Sequence, residues 1–244
     1  FTEGGGQAEH IVRVDRSGFP LSAAQSSSPR YPQVGFEYAG TDVYAAVYDP
    51  GHYTVYWSNG STSVVEAKRL PSEITVGGDW SVRFDPDWGP KEAVVFPELI
   101  SWTESPEPLI RYYSGKAVYE NAFDLDKDQI RGRKVLLDLG NVQDVAVIRV
   151  NGHEFPVSWC SPYEVDITPY VRAGRNRLSV DVVNLWPNRL IGDGKLPPGE
   201  RMTRSNISKY DAPDAEKYMR VSGLLGPVRV KFFERVKITP QDKN

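Results

Sequence analysis

The sequence predicts an all-β fold, a galactose-binding-like jelly-roll β-sandwich preceded by a small β segment. Aromatic residues that favour strands are abundant, with 13 Tyr, 9 Phe and 6 Trp among 244 residues. Short runs of alternating apolar and polar residues recur along the chain, and 21 Gly and 19 Pro punctuate them. Hardly any segment carries the apolar stripe of an amphipathic helix. Together these features are typical of a sandwich or barrel.

The first 73 residues predict a flexible arm and a small β segment. Residues 1–30 open with FTEGGGQAEH and end in the linker-like SAAQSSSPR, so we expect a flexible N-terminal arm. Residues 31–73 contain TDVYAAVYD and HYTVYWSNGSTSVVEA, and Asn59-Gly60 predicts a tight hairpin turn in the second run. Because a hairpin with one further strand is marginally stable alone, we expect this segment to complete a sheet with neighbouring residues.

Residues 74–238 predict the jelly roll itself. Asn151-Gly152 predicts a second tight hairpin, and DITPYVRAGRN predicts a short helical turn before the next strand. About eight strands in roughly 160 residues, with long loops, are typical of a jelly-roll sandwich. The strand-like runs are ITVGGDWSVRF, LIRYYSGKAVYENAF, KVLLDLG, DVAVIRVNGHEFPVSW, YEVDIT, NRLSVDVVN and PVRVKFFERVKI.

Composition excludes several classes of function. The formal net charge of −3 lacks the basic excess that a nucleic-acid surface needs. No run of about 18 apolar residues predicts a membrane span. We therefore expect neither nucleic acid nor a membrane as a partner. The single cysteine, Cys160, excludes an internal disulfide, and we expect it to be a half-buried structural thiol.

One acidic cluster, Asp124, Asp126 and Asp128, has the spacing that opens a calcium-binding loop. The sixth position is Gln129 instead of Gly and the twelfth is Val135 instead of Glu, so an EF-hand is rejected. We expect no cofactor and no metal ligands, with a structural calcium ion kept as the less favoured alternative. Sequence points to no carboxylate pair at a glycosidase separation, so we predict no catalytic residue.

Several motifs, taken in order, resemble a known family. LDLGNVQDVAVIRVNG, SWCSPYEVDIT, YVRAGRNRLSVDVVN and RVSGLLGPVRV resemble the sugar-binding jelly roll of family 2 glycoside hydrolases. YYSGKAVYENAF, NLWPNRLIGD and SGLLGPVRV resemble, more narrowly, the C-terminal β-sandwich region of family 106 glycoside hydrolases, the α-L-rhamnosidases and their relatives. GDWSVRFDPDWGP and ELISWTE fit the same pattern. The resemblance covers about residues 74–236.

The resemblance implies carbohydrate as a partner, such as the side chains of a plant or microbial polysaccharide, and an extracellular or periplasmic location. In such enzymes the catalytic carboxylates lie on a (β/α)₈ barrel, which needs about 250 residues by itself. This chain has no alternating strand–helix pattern, so we expect a missing catalytic barrel domain as a further partner. The chain begins at Phe1 without an initiator Met, and we expect it to be part of a longer enzyme.

The longest connection, residues 184–220, holds most of the candidate carbohydrate site. We expect a structureless loop, and loops of this length are often functional. An aromatic face covers the apolar side of a sugar ring, while amides, guanidinium groups and carboxylates bind its hydroxyls. The segment NLWPNRLIGD supplies all of these groups. The candidate carbohydrate-binding residues are Trp186, Asn188, Arg189, Asp193 and Tyr210, with Trp159 from the loop before the VDIT strand.

The same loop has a structural interpretation, which we favour. Trp186-Pro187 would plug the end of the sandwich, and Arg189 would pair with Asp193 to fix the loop's shape. Three hypotheses follow. The first is a non-catalytic carbohydrate-binding or structural module of an α-L-rhamnosidase-like glycoside hydrolase. The second is an enzyme that cleaves glycans in its own right, and the third is a purely structural interdomain module without a ligand.

Overall fold

The computed structural model describes residues 8–14, 34–39, 42–67 and 70–239, and the chain divides into two compact units. Unit 1 comprises Phe1–Ser72, Asp128–Val135 and Phe232–Asn244, and unit 2 comprises Glu73–Lys127 and Leu136–Lys231. The predicted boundaries at residues 30 and 73 stay a prediction. Of the predicted arm, only one strand lies within the described residues.

Unit 1 is built from short antiparallel strands. A three-stranded sheet has the order β1-β4-β5, and β3 pairs on one side with β2 and on the other with the last residues of β17. The hairpin predicted at Asn59-Gly60 joins β4 to β5, but its turn is not the type I′ turn that Asn-Gly predicts. The Trp57 amide donates to the carbonyl oxygen of Ser61 across a three-residue loop, in which Gly60 alone has a positive φ, +76°. The strands are β1 (Ala8–Val14), β2 (Val34–Ala39), β3 (Asp42–Val47), β4 (Gly51–Trp57), β5 (Thr62–Ala67) and β17 (Arg229–Ile238), the last beginning in unit 2.

The core of unit 1 follows from strand alternation. On β4, every second side chain is buried, namely Tyr53, Val55 and Trp57. The indole nitrogen of Trp57 donates to Ser63 Oγ at 2.8 Å, so the ring's polar atom is satisfied inside the core. Val65 on β5 packs in the same cluster. The aromatic residues Tyr53 and Trp57 therefore share this core with smaller aliphatic side chains.

Unit 2 contains the jelly roll. Its larger sheet has six strands in the order β13-β12-β15-β9-β7-β8, and neighbouring strands within it are antiparallel. In the second layer β10 lies between β14 and β17, β6 pairs with β17, and β11 pairs with β16 as a separate ribbon. The strands are β6 (Ile74–Thr75), β7 (Trp80–Phe84), β8 (Val94–Phe96), β9 (Lys116–Leu125), β10 (Arg133–Asp138), β11 (Asn141–Gln143), β12 (Val145–Val150), β13 (His153–Glu154), β14 (Glu164–Asp166), β15 (Gly174–Val183) and β16 (Gly223–Gly226).

Helical structure in the described residues is brief. Where LIRYYSGK predicts a strand, Pro108 occupies the first turn of a helix, a position that suits its fixed φ and missing N–H, and the strand begins only at Lys116. Within the described residues, no helix is long and apolar enough to cross a bilayer. The helices are α1 (Pro108–Arg111), α2 (Lys127–Ile130) and α3 (Pro187–Gly194), with 3₁₀ turns at Trp102–Glu104, Thr168–Tyr170, Ser208–Tyr210 and Ala215–Tyr218.

Tyr119, on the central strand β9, organises the core of unit 2. Its ring is wholly buried, and its hydroxyl accepts hydrogen bonds from Trp102 Nε1 at 2.5 Å and from the amide of Leu224 at 3.2 Å. Burial, which these two hydrogen bonds only partly offset, raises the pKa of Tyr119 well above its ordinary value. Gly223 makes this approach possible, because a Cβ there would lie 2.7 Å from Trp102 Nε1. The all-β jelly roll that the sequence predicts is confirmed.

Two expectations for single residues have different outcomes. The hairpin at Asn151-Gly152 is present between β12 and β13, and both turn residues have positive φ, +51° and +89°. Cys160, expected to be half-buried, is exposed. The reason is its place in the irregular segment after β13, where the neighbouring Trp159 is also exposed.

A glycine between β10 and β11 tests the packing of unit 2. Gly140 has φ +67°, and a Cβ there would lie 2.5 Å from the carbonyl carbon of Gly226. Gly174, in the same unit, has a similar φ of +86° with nothing within 4 Å. We expect Gly174→Ala to lower the free energy of unfolding by about 1–2 kcal/mol, from backbone strain alone. Gly140→Ala should lower it by at least about 3 kcal/mol, because overpacking adds to the strain. Urea unfolding of both variants measures the difference, and equal losses would contradict the close approach.

Candidate functional site

The connection between β15 and β16 is ordered, although the sequence predicts a loop without structure. Helix α3 begins at Pro187 directly after Trp186, and two 3₁₀ turns follow later in the connection. The Trp-Pro pair is therefore a helix start: Pro at the first helical position loses no hydrogen bond there. The buried residues of α3 are Asn188, Arg189, Ile191, Gly192 and Asp193.

Ser222 ties together the two ends of this connection. Its Oγ accepts hydrogen bonds from Asn184 Nδ2 at 3.0 Å and from Asn188 Nδ2 at 2.9 Å, and it donates to the carbonyl oxygen of Arg220 at 2.9 Å. The amide of Asn184 also bridges to the start of β9, because its Oδ1 accepts from the Gly115 amide at 2.9 Å. Ser222 and Asn188 are fully buried. One hydroxyl thus joins the end of β15, the first turn of α3 and the approach to β16.

Asn188 holds the far side of the loop through its side-chain amide. Its Oδ1 accepts from the amide of Arg220 and its Nδ2 donates to the carbonyl oxygen of the same residue, both at 2.7 Å. The side chain therefore pairs with Arg220 in the way that a neighbouring strand would. Both polar atoms of the Asn188 side chain, Oδ1 and Nδ2, therefore point into the protein.

Arg189 and Asp193 form a buried pair on α3. The Arg189 guanidinium donates to the carbonyl oxygen of Trp88, and its Nη1 lies 3.9 Å from Asp193 Oδ1. Asp193 Oδ2 accepts from the amide and the hydroxyl of Thr203, with the amide at 2.7 Å. Burial lowers the pKa of Arg189 against the opposing effect of the Asp193 charge. Removing either partner would leave a buried charge uncompensated.

Two glycines let other chain segments contact α3 closely. A Cβ on Gly192 would lie 2.5 Å from Cβ of Tyr112, and a Cβ on Gly194 would lie 2.6 Å from the carbonyl oxygen of Tyr210. Both approaches are tighter than side chains at these positions allow. The glycines of the LIGDG sequence therefore serve packing of the loop against its own later residues and against the segment before β9.

A shallow hollow lies on the outer surface of this ordered loop. It has a volume of about 350 Å³ and is lined by Trp186, Leu190, Thr203, Arg204 and Ser205. Trp186 is 55% exposed. Trp88 supports its ring from the side, with centroids 5.9 Å apart in an edge-to-face arrangement. The hollow combines an aromatic wall, a guanidinium group and hydroxyls, which are the chemical groups that contact a sugar ring.

The structure separates the six predicted sugar-contacting residues into two groups. Asn188, Arg189 and Asp193 are buried and bonded within the chain. Trp186 and Trp159 are exposed, and Tyr210 is half-buried with its ring centroid 6.5 Å from that of Tyr218.

Trp159 lies apart from the hollow. It is 73% exposed and follows the bridge that Ser158 forms with Ala146 on β12. In the described part of the chain, no ring contact joins it to Trp186. Sugar contact by any of the six residues stays a prediction. Sequence reasoning missed Trp88, Thr203 and Ser205 as neighbours of Trp186, since only the fold brings these segments together.

Two exposed acids of the loop, Asp214 and Glu216, have lowered pKa values. Hydrogen bonds from Tyr112 and Lys195 hold the pKa of Glu216 below its ordinary value, and Lys217 does the same for Asp214. A glycosidase acid needs the opposite shift, a raised pKa that keeps its proton near neutral pH. Among the described residues, no group of three or more His, Cys, Asp or Glu side chains is placed to hold a metal ion.

Fold and loop together define a jelly-roll module with an aromatic-edged hollow, a class that includes lectin-type domains. The family described as "Glycosyl hydrolases family 2, sugar binding domain" matches residues 50–221. The match covers more than half of the chain, which therefore belongs to this family. The predicted resemblance to the family 2 jelly roll is confirmed, and the narrower assignment to family 106 stays a prediction.

Individual relatives cover the chain but are much longer. A protein of Formosa agariphila described as "Putative beta-glucuronidase" is 34% identical over 205 residues, which span 74% of this chain and 17% of that protein. The structure of a rhamnosidase from Novosphingobium sp. PP1Y has a TM-score of 0.59 at 24% identity, covering 92% of this chain and 25% of that one. A Ruminococcus gnavus beta-glucuronidase has a TM-score of 0.40 at 24% identity, covering 46% of this chain and 21% of its own. The chain thus spans a quarter or less of these proteins.

Asn188 provides a test of the loop's scaffold. We expect Asn188→Ala to lower the free energy of unfolding by about 2–3 kcal/mol, because it leaves the Arg220 amide without its partner and removes one hydrogen bond each from the Ser222 hydroxyl and the Arg220 carbonyl oxygen. Asn206→Ala is the matched control, since Asn206 is an exposed amide in the same connection and its loss should change stability by less than about 0.5 kcal/mol. Urea unfolding of both variants measures this. A neutral Asn188→Ala would show that the loop does not depend on the amide.

Proposed function

We propose that the chain is a non-catalytic carbohydrate-binding module of a larger, α-L-rhamnosidase-like glycoside hydrolase of the family 106 type. The observation that carries the proposal is the hollow beside Trp186, where an exposed indole is held on an ordered loop. Membership in a sugar-binding family supports it. The short share of the relatives that the chain spans supports a larger enzyme around it, including a catalytic barrel.

The hollow suits a single neutral sugar ring. The indole of Trp186 would cover the C–H face of the ring, and Leu190 would contact the same apolar side. Thr203 and Ser205 would exchange hydrogen bonds with ring hydroxyls, to which the guanidinium of Arg204 would also donate. Because Thr203 is already anchored on Asp193, its backbone position is fixed before any sugar arrives. Little ordering is then required on binding, which favours weak but measurable affinity.

The proposal assigns catalysis to parts of the enzyme other than this loop. The buried residues Asn188, Arg189 and Asp193 would support the hollow from behind without touching the sugar. Glu216 and Asp214 have lowered pKa values, which suit ion pairs better than proton donation. The natural ligands would be the side chains of plant or microbial polysaccharides, and the module would act outside the cell or in the periplasm, where such polymers are degraded.

A second candidate function is a brace for a neighbouring domain. Four apolar side chains on the same connection are exposed, namely Leu185, Met202, Ile207 and Val221. Exposed apolar side chains that share one segment are typical of surfaces that contact another domain. In this case the loop would stabilise the catalytic barrel, and the hollow would be filled by protein and not by sugar.

Titration with sugars separates these functions. We expect the native chain to bind a rhamnose- or galactose-containing neutral oligosaccharide at millimolar or better Kd, with and without Ca²⁺. Trp186→Ala should weaken binding about two- to tenfold, since an aromatic ring contact contributes about 0.5–1.5 kcal/mol. Isothermal calorimetry or NMR line broadening measures the affinity.

Leu185→Ala is the matched control, because Leu185 is an adjacent exposed apolar residue that does not line the hollow. It should bind as the native chain does. Absence of binding by the folded native chain would contradict the binding function and favour the brace. Release of reducing sugar by the purified chain would instead establish an enzyme in its own right.

A further inference from the structure

The outer face of the six-stranded sheet carries a polar groove remote in sequence from the Trp186 loop. Its volume is about 830 Å³, within the range of about 300–1,000 Å³ that small-ligand sites occupy. Ser179 on β15 lies in its floor, directly between Glu120 on β9 and Arg149 on β12. Because the Ser179 side chain is short and its two neighbours are long, the sheet surface has a depression there. The lining residues are Glu120, Asn121, Arg149, Asn151, Gly152, Arg172, Arg177, Leu178 and Ser179.

Two buried or half-buried amides fix the backbone at one end of this groove. Asn176 Oδ1 accepts from the amide of Arg172 at 3.0 Å, and its Nδ2 donates to the carbonyl oxygen of the same residue at 2.8 Å. Asn151 Oδ1 accepts from the amide of Arg177 at 2.9 Å. The two asparagines also bond to each other, Nδ2 of Asn151 to Oδ1 of Asn176, at 2.8 Å. A single amide network therefore sets the positions from which Arg172 and Arg177 enter the groove.

The other charges of the groove are matched inside the protein. Arg149 makes a two-pronged pair with the buried Asp181, at 2.7 and 3.3 Å, and also bonds to Glu154 at 2.9 Å. Glu120 pairs with Arg83 at 2.8 Å. These pairs leave little net charge on that side.

The remaining cations differ in this respect. Arg172 and Arg177 are exposed, and within the described part of the chain neither forms an ion pair with a carboxylate. The groove thus has two guanidinium groups at one end that no protein charge neutralises, in a chain whose net charge is −3.

We propose that this groove binds an acidic saccharide, one that bears a carboxylate or a sulfate ester, with Arg172 and Arg177 as the anion-binding residues. Guanidinium groups bind such planar or branched oxyanions through two parallel N–H···O bonds. The Ser179 hydroxyl offers hydrogen bonds to a sugar hydroxyl on the floor of the groove. Charge complementarity selects the ligand, because the only unmatched charges in the lining are positive.

This site goes beyond the function proposed above and is independent of it. The Trp186 hollow would take a sugar ring through an aromatic contact, whereas none of the described residues that line the sheet groove is aromatic. A saccharide that alternates neutral and acidic residues would satisfy both. If one site does not bind its ligand, the proposal for the other site still stands, because the two sites share no lining residue.

The test compares three tetrasaccharides of equal length on the full chain: neutral galactan, galacturonate and sulfated galactan. We expect one or both acidic probes to bind, with an affinity that falls severalfold as NaCl rises from about 50 to 500 mM, because the arginines are exposed to solvent. The double variant Arg172→Gln/Arg177→Gln should weaken this binding at least tenfold. The carboxylate and sulfate arms show which oxyanion is preferred.

Arg175→Gln is the matched control, because Arg175 is an exposed arginine on the same strand, opposite Asp124 and outside the groove lining. It should keep the native affinity. The proposal is overturned if neither acidic probe binds, if the neutral probe binds the groove equally well, or if Arg175→Gln weakens binding as much as the double variant. Unchanged binding of a neutral oligosaccharide by the double variant confirms that the chain is folded and that the hollow is intact.

Discussion

Ser222 closes a loop that would otherwise be costly to hold in one conformation. Joining the ends of a flexible connection of nearly forty residues costs about 3 kcal/mol in loop entropy, and ordering its interior costs more. Ser222 Oγ accepts hydrogen bonds from Asn184 Nδ2 at 3.0 Å and from Asn188 Nδ2 at 2.9 Å. These two residues lie before and after the start of α3. Each buried hydrogen bond contributes about 1 kcal/mol net, and far more is lost when one partner is left alone. The network therefore offsets part of the cost of closing the loop.

The polarity of the loop follows from this constraint. The connection packs against the sheet but is not part of a strand. Its backbone N–H and C=O groups therefore need hydrogen-bond partners other than a neighbouring strand. Asn188 pairs with Arg220, and Arg189 donates to the carbonyl oxygen of Trp88. Side-chain amides and a guanidinium group thus replace the missing strand neighbours. Trp186 stays outside because α3 begins directly after it, so the buried network presents an aromatic ring on a rigid support.

Local sequence patterns predict the strands well because alternation and Asn-Gly turns act over a few residues. The turns at Asn59-Gly60 and Asn151-Gly152 both join the predicted strands. The loop interior is different, since the partners of Asn188 and Arg189 lie 32 and 101 residues away. Amides, guanidinium groups and carboxylates bind sugars and also hold loops together, and only the position of their partners distinguishes the two uses. For the same reason the sequence does not reveal the sheet groove, whose lining comes from four separate segments.

The side chains of strand β15 alternate between the core and the outer face of the sheet. Its inward residues Leu178, Val180 and Val182 are buried in the core, and no substitution there is free of a packing cost. The outward residues Arg177 and Ser179 face the groove, where their contacts do not determine the fold. At its end, Asn184 turns the chain into the Ser222 network. Because the core and the network fix the backbone, residues of the outer face and of the loop surface can be substituted without changing the fold.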